Sequence, residues 1–185
     1  MNGEEKTMKI LVVIDMQKDF IDGALGSPEA QAIVPNVTAK VKEYAEMENS
    51  LIVYTRDSHF SNYMDTMEGK KLPVPHCIYG TEGWNIVPEV FGYKANIAIF
   101  DKPTFGYSTL AIEINDLVKE FGQTIESFEI CGLCTDICVI SNALILKAAF
   151  YETPITINSN CCAGTTPAQH EAALAAMRSC QIDVI

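Results

Sequence analysis

Three residues whose types combine into one chemistry are spread along the chain. Asp15 follows the apolar run Ile10-Leu-Val-Val-Ile14, Lys102 follows Ile97-Ala-Ile-Phe-Asp101, and Cys138 lies three residues after Thr135. A thiol in the first turn of a helix feels the positive end of the helix dipole, which favours the nucleophilic thiolate. A nearby lysine favours it further. A carboxylate facing the thiol takes its proton during attack and returns it to a departing amine. Together these three would attack an electrophilic carbonyl, and Cys138 is expected to be the most reactive of the seven cysteines. Singly, each has an ordinary role: a small core residue, a turn cap and a solvated surface charge. Their shared position after strands is what favours the chemical reading.

A second set is Asp57-Ser-His59 with His76, which holds two of the three histidines. One carboxylate and two imidazoles suit a single divalent zinc, iron or manganese ion with coordination positions left open. The alternative is ordinary hydrogen bonding in a polar loop. Cys131-Gly-Leu-Cys134 also has thioredoxin-type spacing, and with Cys138 it could ligate an iron–sulfur cluster. Against a redox protein, Cys131 falls at the end of a strand rather than at the opening of a helix. Against a cluster, no fourth ligand stands at the required spacing.

The elements that must position these residues alternate. Residues 10–14 form a continuous apolar run, as in a strand buried on both faces of a parallel sheet. Val34, Val37, Val41 and Tyr44 recur at helical spacing, and residues 51–55 are strand-like. Residues 57–95 carry Pro73, Pro75 and Pro88 with several glycines. That is too punctuated for one element and too long for an idle loop. A strand at 97–100 precedes a helix with Leu110, Ile114, Leu117 and Phe121 on one face and Gly122 as its C′ residue. A strand at 125–131 leads to a helix over about 136–150, and a short strand at 155–157 follows. Thr166-Pro-Ala-Gln169 is a capping box opening a helix through Met177, and residues 182–185 close as a sixth strand. The pattern predicts an α/β, three-layer α/β/α fold with a six-stranded, mainly parallel, Rossmann-like sheet. In such folds the site lies beyond the carboxyl ends of the strands. Asp15, Asp57, His59, Lys102 and the 131–138 stretch should therefore converge.

Composition bounds the partners. A chain of 185 residues is expected to be one domain over 1–185, with residues 1–8 as a flexible extension. It is 48% apolar and 20% charged, which excludes a disordered polymer, and no apolar run approaches the roughly 18 residues of a membrane span. Thirteen basic against 24 acidic side chains give a net charge of −11, which repels nucleic acid and anionic lipid. The polar start and odd cysteine count fit a reducing, cytoplasmic setting rather than secretion. A homo-oligomer is compatible with this sequence.

Asp15-Met-Gln-Lys-Asp-Phe20, Lys102 and Gly132-Leu-Cys-Thr-Asp-Ile-Cys-Val139, taken in order and spacing, resemble the three signature regions of the isochorismatase-like cysteine hydrolases, which include nicotinamidases. The resemblance covers nearly the whole chain. It implies that Asp15, Lys102 and Cys138 form a catalytic triad acting on a small-molecule amide through a thioester. It also implies an oxyanion hole from the N–H groups of Cys134 and Cys138, with a cis peptide at Leu133–Cys134. Asp57-x-His59 and Pro75-His76-Cys77 resemble the nicotinamidase metal region, with Glu68 where some members place a glutamate. Departures concern the substrate: Leu72-Pro-Val-Pro75 stands where nicotinamidases often place an aromatic. Phe20, Phe105, Tyr107 and Trp84 are the residues left to line the pocket. A non-aromatic amide or ureide is thus an alternative substrate, and a fold-keeping binding protein is disfavoured by the intact triad.

Overall fold

The computed structural model describes residues 6–93 and 95–185. Its strands are β1 (Thr7–Ile14), β2 (Ser50–Asp57), β3 (Ile97–Lys102), β4 (Thr124–Leu133), β5 (Ile155–Ala163) and β6 (Asp183–Val184). All pair in parallel in the order β3-β2-β1-β4-β5-β6. The helices are α1 (Lys18–Ile21), α2 (Pro28–Ala45), α3 (Met67–Lys71), α4 (Leu110–Glu120), α5 (Ile140–Ala149) and α6 (Pro167–Ser179). A 3-10 turn at Tyr63–Asp65 precedes α3, and a π-helical turn at Thr135–Val139 leads into α5. The expected parallel α/β sheet flanked by helices is present.

The apolar run of β1 forms the centre of the core. Residues 10–14 are wholly buried between β2 and β4, because a strand covered on both faces must be apolar on both. Fully burying each such aliphatic side chain contributes roughly 1.5–3 kcal/mol. Helix α2 starts before the Val34 of the sequence periodicity, since Ser27 caps it by accepting from the Ala30 N–H at 3.0 Å and Pro28 fits the first turn. Thr166 accepts from the Gln169 N–H at 3.1 Å, as the capping box requires. Gly122 has φ +68°, the left-handed conformation expected of a C′ glycine.

Two boundaries need correction. The expected extension over 1–8 ends earlier: Thr7 and Met8 belong to β1, where Thr7 pairs with Thr124 and Met8 is buried, while residues 1–5 lie outside the described residues. Strand β5 continues to Ala163, so Cys161 and Cys162 lie within it rather than after it. Polar Asn158, Ser159 and Asn160 mask the strand in sequence, and Asn158 and Ser159 bond to Glu129 and to the Ile185 carbonyl.

The sheet order reverses between β1 and β4, where a parallel α/β sheet opens a crevice at its carboxyl edge. Gly132 enables the close approach there. It has φ +118°, and a Cβ at that position would lie 2.1 Å from the Ile14 carbonyl oxygen.

Candidate active site

Four neighbouring strands, β3-β2-β1-β4, each lead to one polar residue at this edge. Asp15 follows β1, Asp57 ends β2, Lys102 ends β3, and Cys138 is the fourth residue of the π-helical turn after β4. Lys102 Nζ lies 2.6 Å from Asp15 Oδ2, 3.7 Å from Asp57 Oδ1 and 3.6 Å from Cys138 Sγ, and it also donates to the Thr104 carbonyl at 3.2 Å. Asp15 and Lys102 are both fully buried. The sequence-predicted trio therefore meets in space.

Asp15 is held in an unusual conformation, with φ +48°. An aspartate visits this region at a cost of about 1–2 kcal/mol, so its surroundings must enforce it. Its N–H reaches the Thr55 carbonyl and hydroxyl, its carbonyl accepts from the Gln17 N–H, and its Oδ1 accepts from Thr55 Oγ1 at 2.7 Å. Its Oδ2 faces the ammonium as an ion pair without an aligned hydrogen bond from the described residues, which leaves it able to accept a proton.

The electrostatics revise one expectation. Burial pushes the Cys138 thiol well above its ordinary value, and the Asp15 and Asp57 charges add to this more than Lys102 offsets. The helix entry is a π-helical turn rather than an α-helical first turn. The enclosure thus favours the neutral thiol, against the pull toward thiolate that a place in the first turn of a helix suggested. Burial also raises Asp15 against the pull of Lys102. For Lys102, burial alone would lower the ammonium, but Asp15, Cys138 and Asp57 hold it above the usual lysine range. The site thus favours a protonated lysine and a neutral thiol, with the Asp15 carboxyl group between burial and the ammonium.

Beside it, Asp57, His59, Glu68 and His76 bring one donor atom each to within 4.8 Å of one another, the one such cluster of metal-ligating groups among the described residues. His59 Nε2 is 3.1 Å from Asp57 Oδ2 and 3.5 Å from Glu68 Oε1, while His76 Nε2 is 3.6 Å and 3.7 Å from the same two atoms. Ligands about 2.0–2.1 Å from a tetrahedral ion stand roughly 3.4 Å apart, so the donors fit a zinc-sized ion. One further feature agrees. His76 Nδ1 bonds to the Val74 carbonyl at 2.8 Å, which requires the proton on Nδ1 and leaves the Nε2 lone pair free. Asp57 also links the two groups: its Oδ2 faces the imidazoles, while its Oδ1, buried with no hydrogen-bond partner among the described residues, lies 3.7 Å from Lys102 Nζ. The imidazole of His59 is disfavoured as a cation by burial, but Asp57 and Glu68 outweigh this and raise it to about 9. The neighbouring imidazoles and Lys102 hold Asp57 well below the usual carboxylate range, although burial opposes them.

Both groups open on one cavity of about 540 Å³, lined by Phe20, Leu25, Leu72, Phe105, Leu133 and Ile137, with Cys134, Cys138, Asp57, Glu68 and His76. Two of the expected aromatics line it and two do not. Tyr107 turns away, stacks on Phe100 and donates to Glu113 Oε1 at 2.6 Å. Trp84 packs under Arg56 and donates to Ser58 Oγ at 2.7 Å. The Leu133–Cys134 peptide is cis, as the resemblance implied.

Cys131 does not join Cys138. It is fully buried and is not among the residues lining the cavity, whereas Cys134 and Cys138 are. Sequence reasoning missed Thr55, Gln17 and Asn142. Asn142 is fully buried, donates to the Cys138 and Phe105 carbonyls and accepts from the Tyr107 N–H, tying the nucleophile's turn to the cavity wall. A polar residue within an otherwise apolar helix segment was the available signal. His170, the third histidine, bonds to the Thr135 hydroxyl at 2.8 Å at the head of the π-helical turn.

The family model of the isochorismatase domain matches residues 9–185. The chain belongs to the isochorismatase family. It is a nicotinamidase-like member and a hydrolase. The structure of the nicotinamidase from Bacillus subtilis is 28% identical over 96% of this chain and 99% of that one, with a TM-score of 0.78. The pyrazinamidase of Pyrococcus horikoshii in complex with zinc is 27% identical, covering 96% and 98%, with a TM-score of 0.75. The N-carbamoylsarcosine amidase from Thermoplasma acidophilum is 25% identical, covering 96% and 95%, also at 0.75. These isochorismatase-family likenesses displace the redox alternative.

Proposed function

We propose that this protein hydrolyses a small carboxamide, with nicotinamide and pyrazinamide as the first candidates, through a Cys138 thioester. The observation that carries this is the Lys102 ammonium standing 2.6 Å from Asp15 and 3.6 Å from Cys138, whose thiol-bearing residue lines the cavity. Because the neutral thiol is favoured, the Cys138 proton passes to Asp15 as sulfur bonds to the amide carbon. The carbonyl oxygen gains the negative charge and is met by the N–H groups of Cys134 and Cys138. When that charge collapses, Asp15 gives the proton to the amide nitrogen, the C–N bond breaks and ammonia leaves. Water then attacks the thioester while Asp15 takes its proton, and the returning thiol and free acid complete the cycle. Lys102 keeps Asp15 ionised between these transfers.

Asp57, His59, Glu68 and His76 would hold a divalent ion of the zinc, iron or manganese class. When bound, that ion would offer a Lewis-acid contact to an electron-rich substrate atom such as a ring nitrogen. Phe20 and Phe105 give a flat substrate two aromatic walls. Leu25, Leu72 and Ile137 equally suit an aliphatic amide or ureide, and the likeness to a carbamoylsarcosine amidase supports keeping that second reading. The free thiols of all seven cysteines suit a reducing, cytoplasmic location. No helix among the described residues is long and apolar enough to cross a membrane.

The test is ammonia release from nicotinamide, benzamide, aliphatic amides and N-carbamoyl compounds by the wild type and by Cys138→Ala. Turnover of at least one class that Cys138→Ala abolishes is expected. Nicotinamide exceeding benzamide in kcat/KM would support recognition of the ring nitrogen, and preference for an aliphatic or N-carbamoyl compound would favour the second reading. Full activity in Cys138→Ala overturns the thioester route.

A further inference from the structure

The turn that carries Asp15 reaches further than the proton-transfer site. Gln17, two residues on, is fully buried, and its amide is used on both sides. Its Oε1 accepts from the Asp57 N–H at 2.6 Å, and its Nε2 donates to the Asp57 carbonyl at 2.8 Å and to the Trp84 carbonyl at 2.8 Å. The Asp57 backbone is thus gripped at both of its polar groups by one side chain. Asp19, four residues after Asp15, points the other way. Its Oδ2 accepts from the Cys77 N–H at 2.7 Å, directly after His76, and its Oδ1 accepts from Ala24 at 3.3 Å. Cys77 has φ +46°, a conformation that a non-glycine residue keeps only under constraint, and its carbonyl in turn accepts the His59 N–H at 3.0 Å. Asp57, His59 and His76 therefore all hang on two side chains of a single short turn.

We infer that Gln17 and Asp19 are positioning residues for the divalent ion, so that one segment, residues 15–19, sets both the proton shuttle and the spacing of the metal ligands. This rests on the reading of the Asp57 cluster as a metal site. The segment supplying His59, Glu68 and His76 has only a 3-10 turn and a short helix of its own, so the sheet does not fix the ligand spacing. Second-sphere hydrogen bonds must do so. Groups that orient metal ligands in this way typically alter affinity by about 10–100-fold when removed.

The experiment is a zinc titration of the full-length protein against a chromophoric chelator. Wild type is compared with Gln17→Met, Asp19→Ala, Asp19→Asn and Val118→Ala, the last a remote core change in α4 that lowers stability without approaching the cluster. Gln17→Met and Asp19→Ala should raise the zinc Kd about 10–100-fold. Asp19→Asn, which keeps an acceptor for the Cys77 N–H, should recover most of the loss, and Val118→Ala should leave Kd unchanged although Tm falls. Zinc Kd values within threefold of wild type in both Gln17→Met and Asp19→Ala overturn the inference, as does an equal weakening in Val118→Ala. If Gln17→Met does not fold, the Asp19→Ala and Asp19→Asn pair decides alone. A wild type that binds no zinc removes the metal reading itself, and this inference with it.

Discussion

Cys138 and His59 are both withdrawn from water at the same edge of the sheet, yet their charge states move apart. Around Cys138, the carboxylates of Asp15 and Asp57 outnumber the one ammonium of Lys102, so burial and surrounding charge act together and the thiol stays protonated. Around His59, burial again penalises charge, but the Asp57 and Glu68 carboxylates face it and outweigh this, and the imidazole is raised to about 9. Loss of water is common to both. Negative surroundings favour the protonated form at both, and the difference lies in the group itself: a thiol whose neutral form is favoured until its proton has somewhere to go, and an imidazole favoured as a cation in a pocket of donors that attracts one.

The largest effect should come from removing the base on the nucleophile's side. Asp15→Asn should cut kcat by about 10³-fold, because a neutral thiol cannot shed its proton, while zinc binding stays within a fewfold of wild type. In the wild type, Asp15 must be ionised to act and its pKa is raised, so kcat/KM should fall on acidification above the ordinary carboxylate range. An acid limb at or below pH 3.8 would contradict this assignment.

A smaller effect, of the same sign at the two centres, follows from Asp57→Asn. One carboxylate near both groups is lost, so with chelator present the Cys138 thiol should fall and iodoacetamide should modify it faster at pH 8. The imidazole of His59 should fall at the same time, visible by NMR titration. If neither group moves, the shared carboxylate is not what holds their protons.

The smallest effect is on stability. A raised histidine stabilises the metal-free fold fully below its unfolded pKa of about 6.5 and loses that contribution as pH rises through about 9. Chelator-treated protein should therefore lose on the order of 4 °C in Tm between pH 6.5 and 9.5, with a flatter profile when zinc is bound. Calorimetry at the two pH values checks both.

The two centres also differ in how far their sequence disclosed them. Asp15, Lys102 and Cys138 each follow a strong apolar strand, and register in a parallel sheet places strand ends side by side, so their convergence could be argued from periodicity and topology. The His59–Glu68–His76 segment has no periodic signal. Its shape comes from side-chain-to-backbone bonds such as those of Gln17 and Asp19, which sequence spacing does not encode, and only the family resemblance singled out Glu68. The influences on Cys138 were legible only in part for a related reason. A dipole and a lysine were visible along the chain, whereas the depth of burial and the second carboxylate, Asp57, were not. Tyr107 looked like a pocket residue because it is aromatic and near Lys102, but its hydroxyl found Glu113 and its ring found Phe100.

Gly132 carries a consequence for heredity. A single nucleotide change in a glycine codon that alters the residue always introduces a side chain with a Cβ, and here any Cβ would press on the Ile14 carbonyl between the two central strands. A screen for loss-of-function alleles should therefore return this codon repeatedly, although glycine has no side chain with which to do chemistry. Such alleles would be recognised by a missing polypeptide rather than by an intact, inert one, and enzyme assays on the few molecules that survive would give a misleading account of their defect.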